Sequence, residues 1–453
     1  MEQRIMGVMI AVTLFCAGLG GGYLFSIFQE KDQSSQTSNE VSWLQDQIVS
    51  LEEQVNELTN LNYTIGVIYP MSGRLDWWAA DVVPIIEAAK KDLQLMIDDS
   101  NSKFTFNLIF ADSNLTDEGA LEAVKSLTAE GAQIIVGLPT SGEVGAVLNY
   151  VNVSRIPVIS PTSTASDLSK PDCVFRLSTP ENYRARIGAE LAIELNYTNV
   201  VVIHRNDDWG NLYAETVTEA FHEKELSVQT ISFEPSHIFY MNYSSEVNEL
   251  ESLVLGKEEQ SLIYLVAWEN EDYSILYEAR KSAVLSGIHW FTAVLYPSLC
   301  EKETMFGKAE GLRDFAMRIE LWAPEQRPIV NDLTIRLMED AKSKLGHYPS
   351  YEHIYIYDCI MIAARALLTA GIGEKEALIA AIPYVAESFF GATGYKALDA
   401  NEDLQVEDTA FIGLVKSNGT YEFGYYAFYN GIRREFSILT EPQKRTWFFC
   451  PQC

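Results

Sequence analysis

The chain has 453 residues, 47% of them hydrophobic, and its 63 acidic against 33 basic side chains give a formal net charge of −30. That hydrophobic share excludes a disordered chain, and so acidic a surface repels phosphate backbones, which argues against nucleic acid as a partner. At roughly 150 residues per domain, the about 390 residues of the body fit two lobes better than one, and the acidity otherwise reads as solubility.

Residues 5–29 contain no charge. A helix of this length crosses a hydrocarbon core of about 30 Å, so residues 1–30 are read as a transmembrane anchor with the body outside the cell or in the periplasm. A cleavable signal peptide is the alternative, but the apolar run is long for one, no small-x-small cleavage site stands out, and Phe15 is bulky where a lipobox before Cys16 needs a small residue. Arg4 before the run and Lys31 after it set no basic bias for orientation.

Residues 31–61 form a linker and stalk. The stretch 32–39 is rich in Ser, Gln and Thr, as flexible linkers are. Val41, Leu44, Ile48, Leu51, Val55 and Leu58 then recur in alternating steps of three and four. β-Branched residues at one seam position and leucine at the other suit a parallel two-stranded coiled coil, hence a homodimer, while a solitary amphipathic helix fits the same short repeat.

In the body, strands and helices alternate. Strand 64–70 is followed by helix 80–99, strand 104–112, helix 117–130, strand 133–137, helix 143–152 and strand 156–160. A second series comprises helix 183–195, strand 199–204, helix 212–224, strand 228–233, helix 244–255, strand 261–268, helix 273–284 and strand 289–295. Short connections between such units predict parallel sheets covered on both faces, here two doubly wound lobes. Helices over 329–345 and 351–370 and a hairpin about Asn418-Gly419 complete the pattern.

Chemistry-bearing motifs are sparse. The six histidines have no metal spacing, and no phosphate-binding loop or nucleophile elbow occurs, so neither an enzyme nor a cofactor is expected. Cys173, Cys300, Cys359, Cys450 and Cys453 make no disulfide framework, and the terminal CxxC reads as a local disulfide or free thiols. Asn62, Asn114, Asn152, Asn196, Asn242 and Asn418 head N-x-S/T triplets, in keeping with an external glycoprotein. What stands out is hydroxyl-rich turns at two strand ends, Gly137-Leu-Pro-Thr-Ser141-Gly-Glu and Ser160-Pro-Thr-Ser-Thr164-Ala. Ligands of open α/β sheets sit at that edge. Hydroxyls beside a helix N-terminus bind a carboxylate, and they also serve as plain helix caps.

Gly137-LPTSGEVGAVLNYVNVSRIPVISPTSTASDLS, Val174-FRLSTPENYRARIGAELA and Asn199-VVVIHRNDDWG resemble the type I periplasmic solute-binding proteins, and within them the branched-chain amino acid (Leu/Ile/Val) binding proteins of ABC importers. Ile65-GVIYPMSG, Tyr357-DCIMIAARALLTAG and Phe390-GATGYKALDANED extend the likeness across about 63–429. The resemblance implies two lobes joined by three hinge crossings, 62–178 plus 318–392 and 179–317 plus 393–440, followed by a tail 441–453. It places the carboxylate-binding serine on Ser141, the next strand-end contacts on Thr162, Ser163 and Thr164, and second-lobe aromatics on Trp209 and Trp268. The acidic residue expected after strand 289–295 is missing: Ala293, Val294, Leu295 and Tyr296 stand there, with Glu269 or Asp272 as replacements. Trp78, beside Trp77, borders the pocket in such relatives, and an aromatic wall suits apolar side chains, aromatic acids or quaternary amines. Asp207 and Asp208 read as a solvated turn.

The resemblance thus implies a membrane-tethered, non-catalytic binding protein for an amino acid or related carboxylate, serving the permease subunits of an ABC importer. A sensory ectodomain of the same fold is the alternative, less favoured because only residues 1–4 precede the span; an α/β hydrolase or amidase is the alternative of another class.

Overall fold

The computed structural model describes residue 47 and residues 61–72, 79–99, 104–236, 241–295, 310–326, 330–371, 373, 375–405, 409–417, 420–431 and 433–444. The chain divides into two compact units, Met1–Leu61 and Asn62–Cys453, and nearly all described residues belong to the second. Apart from residues 47 and 61, the expected span, linker and stalk lie outside the described residues, as do Trp77, Trp78, Tyr296, Asn418-Gly419, Cys300 and the terminal CxxC.

The first half of the body builds a five-stranded sheet from β1 (Leu61–Tyr69), β2 (Phe104–Asp112), β3 (Ile134–Gly137), β4 (Val158–Ser160) and β5 (Val174–Arg176), in the order β2-β1-β3-β4-β5. β1, β3, β4 and β5 run parallel to one another. β3 and β4 are apolar nearly throughout and wholly buried, as parallel strands between two helical layers must be. Helices α1 (Val83–Asp99), α2 (Asp117–Ala129) and α3 (Ser141–Ser154) connect the strands. Pro84 sits in the first turn of α1, where its missing N–H costs nothing.

Further along the chain, α4 (Glu181–Glu194), α5 (Asp208–His222), α6 (Ser244–Val254), α7 (Glu269–Ala279) and α8 (Glu310–Arg318) belong to a second, eight-stranded sheet. Its strands are β6 (Asn199–Arg205), β7 (Val228–Phe233), β8 (Ser261–Val266), β9 (His289–Thr292), β10 (Trp322–Gln326), β13 (Thr409–Ser417), β14 (Thr420–Asn430) and β15 (Glu435–Lys444), in the order β15-β14-β13-β10-β9-β8-β6-β7. All of β6 is buried: Val200 and Val202 face α4 and α5, while Val201 and Ile203 face α6 and α7. Each such side chain contributes about 1.5–3 kcal/mol. The sheet is not purely parallel as expected. β10 pairs antiparallel with β13, and β13, β14 and β15 form an antiparallel meander.

α9 (Asp332–Leu345), α10 (Tyr355–Ala370) and α11 (Lys375–Ser388) return to the first sheet, where α10 packs on β3 and β4. The stretch Tyr351–Ala370 is long and apolar enough to cross a membrane, but it is the buried core helix of this half. β11 (Phe390–Gly391) and β12 (Gly394–Tyr395) form a small antiparallel pair.

The chain therefore passes between the two groups of elements after β5, after β10 and after β12. The second passage comes later than the resemblance implied: Trp322–Gln326, inside the span 318–392 given to the first lobe, is a strand of the second sheet. Residues 393–396 likewise stay with the first group. Asp358 of α10 accepts the Ala392 and Thr393 N–H groups, each at 2.8 Å, and buried Lys396 donates to the Thr393 carbonyl at 3.0 Å. Asp403, on the way back, forms a two-pronged ion pair with Arg176 at the end of β5, with Nη2–Oδ2 at 2.7 Å and both groups buried. Ser169 adds a hydrogen bond to the same carboxylate at 2.6 Å.

Candidate functional site

The first hydroxyl turn begins where β3 ends. Gly137 has φ +118° and lies so close to Ile68 that a Cβ would fall 1.9 Å from its carbonyl oxygen, so only glycine fits. Leu138 follows at φ 56° and its N–H reaches the same carbonyl. Thr140 then caps α3: its hydroxyl accepts the Glu143 N–H, while the buried Glu143 carboxylate accepts the Thr140 N–H at 3.1 Å. This is a capping box, which accounts for Thr140, while the Glu143 carboxylate also accepts a hydrogen bond from the Ser113 hydroxyl.

Ser141, one residue on, turns to its neighbour. Its Oγ accepts the Thr164 N–H at 3.2 Å and the Ala165 N–H at 3.1 Å, and lies 3.1 Å from the Ser163 hydroxyl. Thr164 donates its hydroxyl to Glu181 at the start of α4, 3.0 Å away. Ser141, Ser163 and Thr164 are thus brought together at the N-terminus of α3. Thr162 is used differently, donating to the Pro139 carbonyl at 2.8 Å and tying one turn to the other. Ser160 does the same to the Leu138 carbonyl at 2.9 Å.

The second sheet presents its aromatics at the ends of β6 and β8. Trp209, in the first turn of α5, and Trp268, before α7, stand edge to face with ring centroids 6.4 Å apart. Arg205, buried at the end of β6, lies 4.4 Å over the Trp268 ring. Its guanidinium is held by Asp207 at 2.6 Å and by Glu271 at 3.1 Å, and Glu271 also accepts the Trp268 N–H at 2.9 Å. Gly210 is required here, because a Cβ would meet the Arg205 carbonyl at 2.2 Å. Asp207 is not the solvated turn expected from the sequence: it caps α5 by accepting the Gly210 N–H at 2.9 Å while pairing with Arg205. Trp268 is half exposed, so part of this supported ring faces solvent.

Among the acids proposed as replacements, Asp272 is buried against the end of β9, where Thr292 donates to it at 3.3 Å. The Glu269 side chain and Trp78 lie outside the described residues. Sequence reading passed over Arg205 and Glu271. The only signal for them was a charge at the end of an apolar strand, Arg205 after Asn199-VVVIH. It also passed over Tyr69 at the end of β1, whose buried phenol is pushed well up by desolvation, with Glu352, the Cys359 thiol and Glu143 acting in the same direction. The Glu352 carboxyl, just before α10, is itself pushed up by desolvation, with Arg184 of α4 opposing the shift and Glu325 adding to it.

Two α/β sheets with three passages between them and polar or aromatic strand ends have the architecture of the type I periplasmic binding proteins. The family described as "Receptor family ligand binding region" matches residues 86–412, and the chain belongs to it. An uncharacterized protein of Methanocaldococcus jannaschii is 22% identical over 213 residues, 45% of this chain and 50% of that protein. The Leu/Ile/Val-binding protein homolog 3 of Brucella melitensis is 24% identical over 163 residues, 35% of this chain and 44% of that protein. The chain thus spans about half the length or less of these curated relatives. Among solved structures, the leucine-, isoleucine-, valine-, threonine- and alanine-binding protein of Brucella ovis in its closed conformation matches at a TM-score of 0.61 and 17% identity, covering 85% of this chain and 100% of that one.

Proposed function

We propose that this protein is a non-catalytic solute receptor that captures a small carboxylate, an amino acid or close relative, between its two lobes and hands it to the permease subunits of an ABC importer. The observation that carries this reading is Ser141, which gathers the Thr164 and Ala165 N–H groups and the Ser163 hydroxyl at the start of a fourteen-residue helix. Donors converging at a helix N-terminus favour an anion, and an arriving carboxylate would take over the bonds that Ser141 now receives. On the second sheet, Trp209 and the exposed part of Trp268 suit an apolar or aromatic side chain. Residues 5–29 would tether the body outside the membrane, and the stalk would pair two copies.

A sensory ectodomain of the same fold is the second reading, favoured by the family description, which covers receptor ligand-binding regions. Thermal-shift screening against amino acids, keto acids, aromatic acids and betaines tests the ligand class. A rise in melting temperature with one or more carboxylates is expected; stabilisation only by compounds lacking a carboxylate would overturn it.

A further inference from the structure

A groove of about 750 Å³, lined by none of the hydroxyl-turn residues, lies between the β11–β12 pair on one side and α4 with the end of β14 on the other. This volume is within the ordinary range for small-molecule sites. Tyr183, Phe390, Tyr395 and Tyr429 supply aromatic surface to it. Phe390 and Tyr395 are directly opposed across the two strands and are 60% and 38% exposed. Two large exposed rings side by side form a contiguous apolar surface, the kind that lines ligand-binding grooves.

The charge in the groove departs from that of the whole chain. Arg186 and Arg434 line it against a single lining acid, Glu190. Arg186 is occupied by Glu190 at 3.1 Å and by Glu223. Among the described residues Arg434 has no carboxylate at ion-pair distance, and it is exposed beside Tyr429, whose phenol it influences. On a protein of net charge −30, Arg434 is a guanidinium without a carboxylate partner among the described residues, set beside aromatic rings.

We propose that this groove is a second binding site, separate from the cleft, for a flat aromatic anion that stacks on Phe390 and Tyr395 and pairs with Arg434. Stacking supplies area without a shape-specific cavity, and the guanidinium offers the planar donor pair that a carboxylate or sulfonate accepts. Because β11–β12 belongs with the first sheet and α4 and β14 with the second, an occupant touches both lobes. The full chain in lipid nanodiscs is titrated with naphthalene-2-sulfonate by calorimetry, with empty nanodiscs as the baseline. Saturable binding is expected, weakened at least tenfold by Arg434→Gln and by Phe390→Ala, both exposed positions, and unchanged by Ser141→Ala. Absence of saturable binding, insensitivity to Arg434→Gln and Phe390→Ala, or loss of binding in Ser141→Ala would each overturn the proposal. The last outcome would assign the probe to the cleft and leave the cleft reading standing.

Discussion

At the residue scale the question is what a hydroxyl at a strand end is for. Thr140 and Thr162 are satisfied locally, one by capping α3 and the other by a carbonyl of the adjoining turn. Ser141 instead receives two N–H groups from the neighbouring turn, and Thr164 faces Glu181. The composition of the two turns made all of these residues visible in the sequence, but nothing local separated the caps from the candidate ligand contacts. That separation depends on residues 22–24 positions apart. The double variant Ser141→Ala with Thr164→Ala is expected to weaken binding of the ligand found by screening by about 2–4 kcal/mol, if both bond a charged group. Calorimetry measures it, and an unchanged affinity removes both residues from the site. Arg205 stayed hidden for a related reason. Its role under Trp268 appears only once β6 and β8 lie side by side.

At the element scale, β1, β3, β4, β6, β8 and β9 follow the apolar runs closely, because a buried parallel strand must be apolar through its length, while the edge strands β2 and β7 are half exposed. Other elements left weaker marks. β5 is three residues long, α11 carries Pro383 in its interior, and Pro324 interrupts β10. The return passage is fixed by Arg176 and Asp403, 227 positions apart, a pairing no local pattern reveals. Phe390-GATGYKALDANED was legible as a motif, and its structural meaning is the anchoring of that passage through Asp358, Lys396 and Asp403. Glu402 sits in the same segment, where burial and the nearby Asp172, Asp399 and Asp403 push its carboxyl up from about 4.5 to about 7. The native state then holds this proton more tightly than the unfolded chain, so its contribution to stability declines as pH rises across that window. Glu402→Gln is expected to flatten this decline in urea-unfolding midpoints measured from pH 5 to pH 8. An identical pH dependence in the two proteins would show that Glu402 does not titrate there.

At the scale of the whole molecule, three passages link the two sheets, and in the receptor reading proposed above they are the hinges about which the lobes would rotate while each core stays intact. A ligand that touches both lobes binds the closed arrangement better and shifts the population toward it. The alternating pattern suggested two lobes, and the boundaries carried over from the resemblance placed the second passage too early, ahead of the strand Trp322–Gln326. The stalk is a separate matter of assembly. A chain starting at Asn39 is expected to sediment as a dimer and one starting at Tyr63 as a monomer, while equal monomer masses would remove the coiled-coil seam.

The receptor reading meets its most direct test when the purified protein is incubated with a metabolite mixture, freed of unbound compounds by filtration, and both fractions are analysed by mass spectrometry. The account expects a carboxylate-bearing small molecule retained at about one per chain and released chemically intact on denaturation. Consumption of a metabolite with appearance of its product, or retention only of molecules without a carboxylate, would contradict it.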